Sequence, residues 1–253
     1  MALADFNDQV VIVTGAGHGL GRAIAIAFAA RGAHVWACDI LEDALEETKT
    51  VTDGWLERVV FDARDEDAVT AFVETVVEHE GRLDVLVNNA GGVQGQVGRA
   101  LESVSTEDWR TIFAVNIDAA FYFSRAVVPT MKGACYGRIV TIASGAGLGV
   151  SLTGIQAYAA ANAAQIGLTR QLSHELGPWN ITANAVAPGF VLSNPATQRQ
   201  WEAYGPGGQE RLIEGIALRR LGTPEDIANG VLFFASPLAS WITGEVLRID
   251  GGR

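Results

Sequence analysis

The chain has 253 residues, enough for one large domain or two small ones and for a sizeable buried core. Apolar residues make up 49% and charged residues 19%, which excludes a disordered or fibrous chain. Acidic residues outnumber basic ones 29 to 18, and the resulting net charge of −11 disfavours nucleic acid and anionic membrane as partners. No uninterrupted apolar run approaches the roughly 18 residues of a membrane helix. The opening residues Met1–Phe6 show no basic start and no apolar signal core, so a cytoplasmic protein is expected. Cys38 and Cys135 are too few for a disulfide scaffold and read as reduced packing thiols. His18, His34, His79 and His174 lack metal-ligand spacing, and no metal is expected.

Apolar runs alternate with helical stretches along the chain. Val10–Val13 leads through a glycine-rich turn into an Ala-rich helical segment, Leu20–Ala30. His34–Cys38 ends in Asp39, and Val59–Phe61 ends in Asp62 before a helical stretch from Asp65 to Glu80. Asp84–Val87, Arg138–Ile142, Ile181–Val186 and Glu245–Ile249 complete the series. Continuous apolar runs separated by helices predict an α/β fold: a single doubly wound, Rossmann-like parallel sheet covered on both faces. No linker or repeat divides residues 1–253. The least regular stretch, Ser193–Gly208, holds Pro195, Pro206 and Gly205, Gly207 and Gly208. It follows a strand end, where ligands of such sheets bind, and suggests a substrate lid near 193–215; an ordinary surface excursion is the alternative.

Thr14-Gly15-Ala16-Gly17-His18-Gly19-Leu20-Gly21 joins the first strand to a helix. Glycines permit a tight turn and close backbone approach, and a helix N-terminus favours a pyrophosphate. Strand, turn and helix together point to a dinucleotide, with Gly15, His18, Gly19 and Leu20 as contacts; His18 could equally be just exposed. There is no Gly-Lys-Ser/Thr, so a nucleoside-triphosphate loop is excluded. Asp39, with Ile40 behind it, stands about 20 residues beyond the turn, where an acid accepts hydrogen bonds from an adenosine ribose. A carboxylate there repels a 2′-phosphate, and no sequence neighbour is basic, so NAD is expected rather than NADP. A helix N-cap is the competing role for Asp39. Asp62, with Ala63 beside it, is placed to bond the adenine amine.

With these motifs the chain resembles the short-chain dehydrogenase/reductase family over essentially its whole length. Asn88-Asn89-Ala90-Gly91 is similar to the family's segment beside the cofactor. Asn116 resembles its helix asparagine, Ser144 and Tyr158 its catalytic serine and tyrosine, and Asp250-Gly251-Gly252 its C-terminal signature. The resemblance implies that Asn89, Ala90, Gly91, Pro188, Gly189, Val191 and Ser193 line the cofactor. It also implies that Tyr158 exchanges the proton, that Ser144 positions the substrate oxygen, and that Asn116 orders the helix or a proton-relay water. Association as a homodimer or homotetramer is implied as well.

The chemistry of the side chains agrees. Hydride transfer at a carbinol carbon needs a proton acceptor on oxygen, and a tyrosine of ordinary pKa about 10 must be tuned for that work. In the family a lysine one helical turn after the tyrosine does the tuning and holds the nicotinamide ribose. Here the sequence reads Tyr158-Ala159-Ala160-Ala161-Asn162. Asn162 can hydrogen-bond a ribose but brings no charge. Three accounts stay open: a slow or alkaline-shifted dehydrogenase, a deliberately substituted enzyme, and an NAD-binding sensor or scaffold with a disabled site. A related epimerase or dehydratase ranks last. Ala146, Gln156, Phe190 and Trp201, with Ser144 and Tyr158, are expected to meet the substrate, a small alcohol or carbonyl compound. Arg199 and Arg211 could meet a carboxylate, although both suit a solvated helix face.

Overall fold

The apolar runs become seven strands of one parallel sheet. In the computed structural model, which describes residues 5–253, these are β1 (Val10–Thr14), β2 (His34–Asp39), β3 (Leu56–Val60), β4 (Val85–Asn88), β5 (Gly137–Ile142), β6 (Ile181–Pro188) and β7 (Val246–Ile249). The sequence reading of Met1–Ala4 lies outside the described residues. Strand order is β3-β2-β1-β4-β5-β6-β7, with every neighbouring pair parallel. This is the doubly wound sheet expected from the alternation of runs and helices. The chain reverses its direction of winding between β1 and β4, and the crevice above that switch point is where such sheets take ligands.

Helices cover both faces: α1 (Gly19–Ala29), α2 (Glu42–Val51), α3 (Glu66–Glu80), α4 (Thr106–Phe113), α5 (Ala119–Ala134), α6 (Gln156–Leu176), α7 (Pro195–Ala203), α8 (Gly205–Glu214) and α9 (Pro224–Ala235). Alternate residues of β1 serve opposite layers, as strand geometry requires. Val11 and Val13 join Ile24, Phe28, Ile227 and Val231 of α1 and α9. Val10 and Ile12 join Val69, Phe72, Phe123, Val127 and Leu176 of α3, α5 and α6. Each such side chain contributes about 1.5–3 kcal/mol on burial, before the entropy of ordering is subtracted.

Three expectations need correction. The third strand begins at Leu56 and stops before Phe61. It is an edge strand, where Glu57 and Arg58 pair with Lys49 and Glu46 outside the core, so its polar half did not register as strand. The stretch is helical from Pro195. Asn194 caps α7, accepting from the N–H groups of Ala196 and Thr197, with Pro195 in the first turn, and α8 follows with Pro206 in its first turn. Finally, a continuous helix from Thr106 to Ala134, joined by a π-helical turn at Ala114–Asp118, holds an 18-residue window of mean hydropathy 1.3. It is long and apolar enough to cross a membrane by those measures, but Phe123, Val127 and Met131 sit in the core beside the sheet.

Candidate active site

The glycine turn after β1 is built by backbone geometry. Gly15 and Gly19 have φ of +65° and +60°, which side chains disfavour. A Cβ on Gly21 would lie 2.1 Å from the Gly15 carbonyl oxygen. Half-buried His18 precedes α1 without capping it by its side chain, so the amides of the first turn keep no side-chain acceptor. Behind the turn, Arg22 donates to the Gly17 carbonyl and to Thr48 Oγ1 and pairs with Glu47. Thr48 in turn donates to the Ala16 carbonyl at 2.9 Å. Sequence reasoning missed this brace. Its signal was a cation in the first turn of α1, where the helix dipole disfavours one.

Asp39 ends β2 and accepts from Gly17 N at 2.8 Å and Leu41 N at 3.0 Å. It is not the N-cap of α2, a place taken by Leu41. Arg22 lies across Gly17 from Asp39, so a cation is near in space although none is near in sequence. Its guanidinium is committed to the partners just named and to the Ala44 carbonyl. Ile40 is exposed. Asp62 lies beyond the end of β3, beside Ala63, and its carboxylate is held by Arg64, whose hydrogen bonds keep it below the usual carboxylate range.

Across the switch point, Thr14 Oγ1 accepts from the N–H groups of Asn89 and Ala90. Asn89 Nδ2 donates to the Thr14 and Gly15 carbonyls at 2.9 and 3.0 Å. The Asn89 side chain thus ties β4 to the glycine turn, and Gly91 follows against Asn116. Asn116 lies in the π-helical turn, 3% exposed. Its Oδ1 accepts from Gly92 N, and its Nδ2 donates to the Gly92 and Ile112 carbonyls. Its side chain is therefore spent on local structure, and only its main-chain carbonyl turns toward α6, where Gln165 Nε2 donates to it at 2.9 Å.

Ser144 leaves β5 in extended conformation, its Oγ accepting from Ala146 N. The turn at Gly145–Gly147 presses on α6: a Cβ on Gly147 would meet the Asn162 carbonyl carbon at 2.7 Å. That contact brings Ser144 to Tyr158 in the first turn of α6. Burial pushes the Tyr158 phenol above its ordinary value, while hydrogen bonds from Ser144 and Asn162 favour the ionised form. Asn162, 1% exposed, also donates to the Tyr158 carbonyl at 2.8 Å.

The opposite wall follows β6. Gly189 N donates to the Ile249 carbonyl, fixing the Pro188–Gly189 turn against β7. Val191 is buried and bridges to Gly222. Ser193 reaches over the glycine turn, its carbonyl oxygen 2.8 Å from the place of a Gly19 Cβ. Phe190, Trp201 and Tyr204 form an aromatic group with ring centres 5.9–6.1 Å apart. Gln156 donates to the Arg99 carbonyl, tying α6 to the loop before α4. Arg199 and Arg211 are exposed on α7 and α8. Cys38 is buried in the core, and burial raises its thiol pKa, in keeping with a packing role. Away from the site, His34 and His79 both bond Glu80.

A glycine turn on a helix N-terminus, an acid at the end of β2 and a Ser–Tyr pair over one crevice define a nucleotide-dependent α/β oxidoreductase framework. Residues 15–253 match the family described as Enoyl-(Acyl carrier protein) reductase. The 3-oxoacyl-[acyl-carrier-protein] reductase FabG of Thermotoga maritima is 38% identical over 247 residues, 96% of this chain and 97% of the relative. The 7alpha-hydroxysteroid dehydrogenase of Escherichia coli K12 is 34% identical over 250 residues, 97% and 94% of the two chains. Among solved structures, levodione reductase superimposes with TM-score 0.90 at 32% identity, over 97% of both chains. A 7α-hydroxysteroid dehydrogenase complexed with NADH and 7-oxo glycochenodeoxycholic acid gives 0.89 at 33% identity, over 98% and 95%. The chain belongs to the short-chain dehydrogenase/reductase family of oxidoreductases.

Proposed function

We propose that this protein is an NAD(H)-dependent dehydrogenase of neutral, cyclic secondary alcohols or their ketones, with reduced activity at neutral pH. The observation that carries the reading is the turn of Ser144 and Gly145–Gly147 pressed on α6, whose first turn carries Tyr158 and whose buried Asn162 bonds back to the Tyr158 carbonyl. The residues fit a dinucleotide: Gly15 and Gly19 are at positive φ, and a side chain at Gly21 would fill the turn. Gly15, His18, Gly19 and Leu20 would hold its pyrophosphate, Asp39 and Ile40 its adenosine ribose, and Asp62 and Ala63 its adenine. Asn89, Ala90, Gly91, Pro188, Gly189, Val191 and Ser193 would line the nicotinamide half. When bound, NAD supplies the hydride acceptor. The chain's own residues do the rest: Ser144 Oγ holds the substrate oxygen, and Tyr158 takes its proton. Phe190, Trp201, Ala146 and Gln156 enclose an apolar body.

Asn162 stands in this reading where the family's lysine would be. Neither lysine of the chain replaces it, since Lys49 pairs with Glu57 and Lys132 with Glu175. A half-buried phenol with no cation beside it also favours a second reading, an NAD-binding sensor or scaffold. Self-association and a cytoplasmic location belong to the proposal. The open edge at β7 and the exposed Phe233, Leu238 and Trp241 near it support a dimer or tetramer.

The test is NADH formation against pH over a panel of secondary alcohols, for this chain and Asn162→Lys. A working phenolate makes the rate rise with pH, and a neighbouring ammonium moves that rise to lower pH. The lysine form is expected to be at least about tenfold faster at pH 7. NADH binding without turnover in either form would leave the sensor.

A further inference from the structure

The ends of three strands are laced together beside the glycine turn. Gly17 N donates to Asp39 Oδ2 at 2.8 Å, and Phe61 N donates to the Asp39 carbonyl at 3.1 Å. Asp62 follows Phe61 and opens a turn that main-chain bonding closes. Asp65 N donates to the Asp62 carbonyl at 2.9 Å, and the Asp65 side chain caps α3. The shape of this turn therefore needs nothing from the Arg64 side chain. Yet the Arg64 guanidinium turns back on Asp62 instead of into water. Its Nε lies 3.0 and 2.9 Å from the two carboxylate oxygens, its Nη2 donates to Oδ2, and the Arg64 main-chain N–H donates to Oδ1 at 2.9 Å. An exposed ion pair contributes little to stability, but this fork fixes the orientation of the carboxylate. Among the described residues, three N–H groups, all of Arg64, meet a carboxylate with about four acceptor positions. One position stays open, on a side chain 33% exposed.

We propose that Arg64 is a positioning residue for adenine recognition: its fork holds the Asp62 carboxylate so that the open acceptor position meets the exocyclic amine of the dinucleotide's adenine. The inference rests on the adenine site proposed at Asp62 and Ala63. An ionised carboxylate only accepts, so it bonds an amine and is set against a carbonyl oxygen at the same place. Hypoxanthine presents that oxygen where adenine presents the amine. Arg64 acts through Asp62, so its effect reads as a preference for the adenine dinucleotide over the deaminated one. Arg64→Lys keeps the charge and loses the fork.

Fluorescence titrations with NADH and with reduced nicotinamide hypoxanthine dinucleotide are run on the parent, Arg64→Met, Arg64→Lys and Asp62→Asn, and the thermal midpoint of each is measured. The titrations read binding and need no turnover. The parent is expected to prefer NADH at least about tenfold. Arg64→Met and Arg64→Lys each lower that preference to about threefold or less, by weaker NADH binding, while the thermal midpoint moves little. Asp62→Asn abolishes it, since an amide also donates to the hypoxanthine oxygen. Arg64→Leu serves the same comparison if Arg64→Met does not fold. A preference undiminished in Arg64→Met overturns the proposal. So does a preference kept by Arg64→Lys, which makes charge alone sufficient. Equal losses for both dinucleotides overturn it too, because they report the structure of the turn and leave the ratio unchanged. If the parent binds neither dinucleotide or shows no preference, or if Asp62→Asn retains the preference, the adenine site at Asp62 fails and takes this inference with it. If Asp62→Asn loses the preference while Arg64→Met keeps it, only the role of Arg64 falls.

Discussion

At Gly21 a single added carbon meets backbone. A Cβ there would stand 2.1 Å from the Gly15 carbonyl oxygen, and neither atom is the end of a flexible side chain. Gly21→Ala therefore shifts the glycine turn against α1, at about 1–3 kcal/mol. NADH affinity is expected to fall at least about tenfold while the far-ultraviolet spectrum is kept; a fluorescence titration checks it. Residues of this kind are legible in sequence, because only glycine permits the geometry and the motif follows a strand. Ser144, Tyr158 and Asn162 were singled out for a different reason, their places in the family's motifs. Asn89 was legible as a member of the segment, but not the work of its side chain, which closes the switch point by bonding the Thr14 and Gly15 carbonyls.

Among the elements, α9 starts where Thr223, Pro224 and Asp226 form a helix-start pattern. Thr223 Oγ1 accepts from Asp226 N, and the Asp226 carboxylate accepts from Thr223 N in return. Arg220 adds a two-pronged ion pair to that carboxylate. The Arg220 hydrogen bond, then the Thr223 backbone N–H, holds Asp226 down from 3.8 to about 2. A depressed folded-state pKa contributes stability above the unfolded value and loses it as pH falls through the folded one. The contribution of Asp226 is thus fully present above about pH 4 and fades toward pH 2, and solvent screening keeps it small. Thr223→Ala is expected to cost about 1 kcal/mol at pH 7, measured by urea unfolding. Asp226→Asn should lose its destabilising effect between pH 4 and pH 2. Helices α7 and α8 show the converse. Glycines and prolines at 195–208 read as punctuation, yet the Asn194 cap and prolines placed in first turns start two helices there. Composition marks where a chain can turn; the caps decide whether it does.

On the scale of the whole molecule, parallel pairing and two-sided cover were legible because β1, β4, β5 and β6 are buried on both faces and so nearly continuous in apolar residues. The edge strand β3, half in water, was not, and neither was the bridging of distant segments over the switch point. One such bridge joins the two ends of the crevice. The segment that begins at Ser193 over the glycine turn continues directly into α7, which carries Trp201 toward Phe190. The floor under one ligand is thus continuous with the wall around the other. Binding on such a surface has a sequence in time. On the proposed function, the nucleotide is expected to enter first, to seat Ser193 and the helix behind it, and to leave after the alcohol or ketone. Steady-state kinetics should show a compulsory order, with NADH competing against NAD but not against the alcohol. Product-inhibition plots that show NADH competing with both would contradict it.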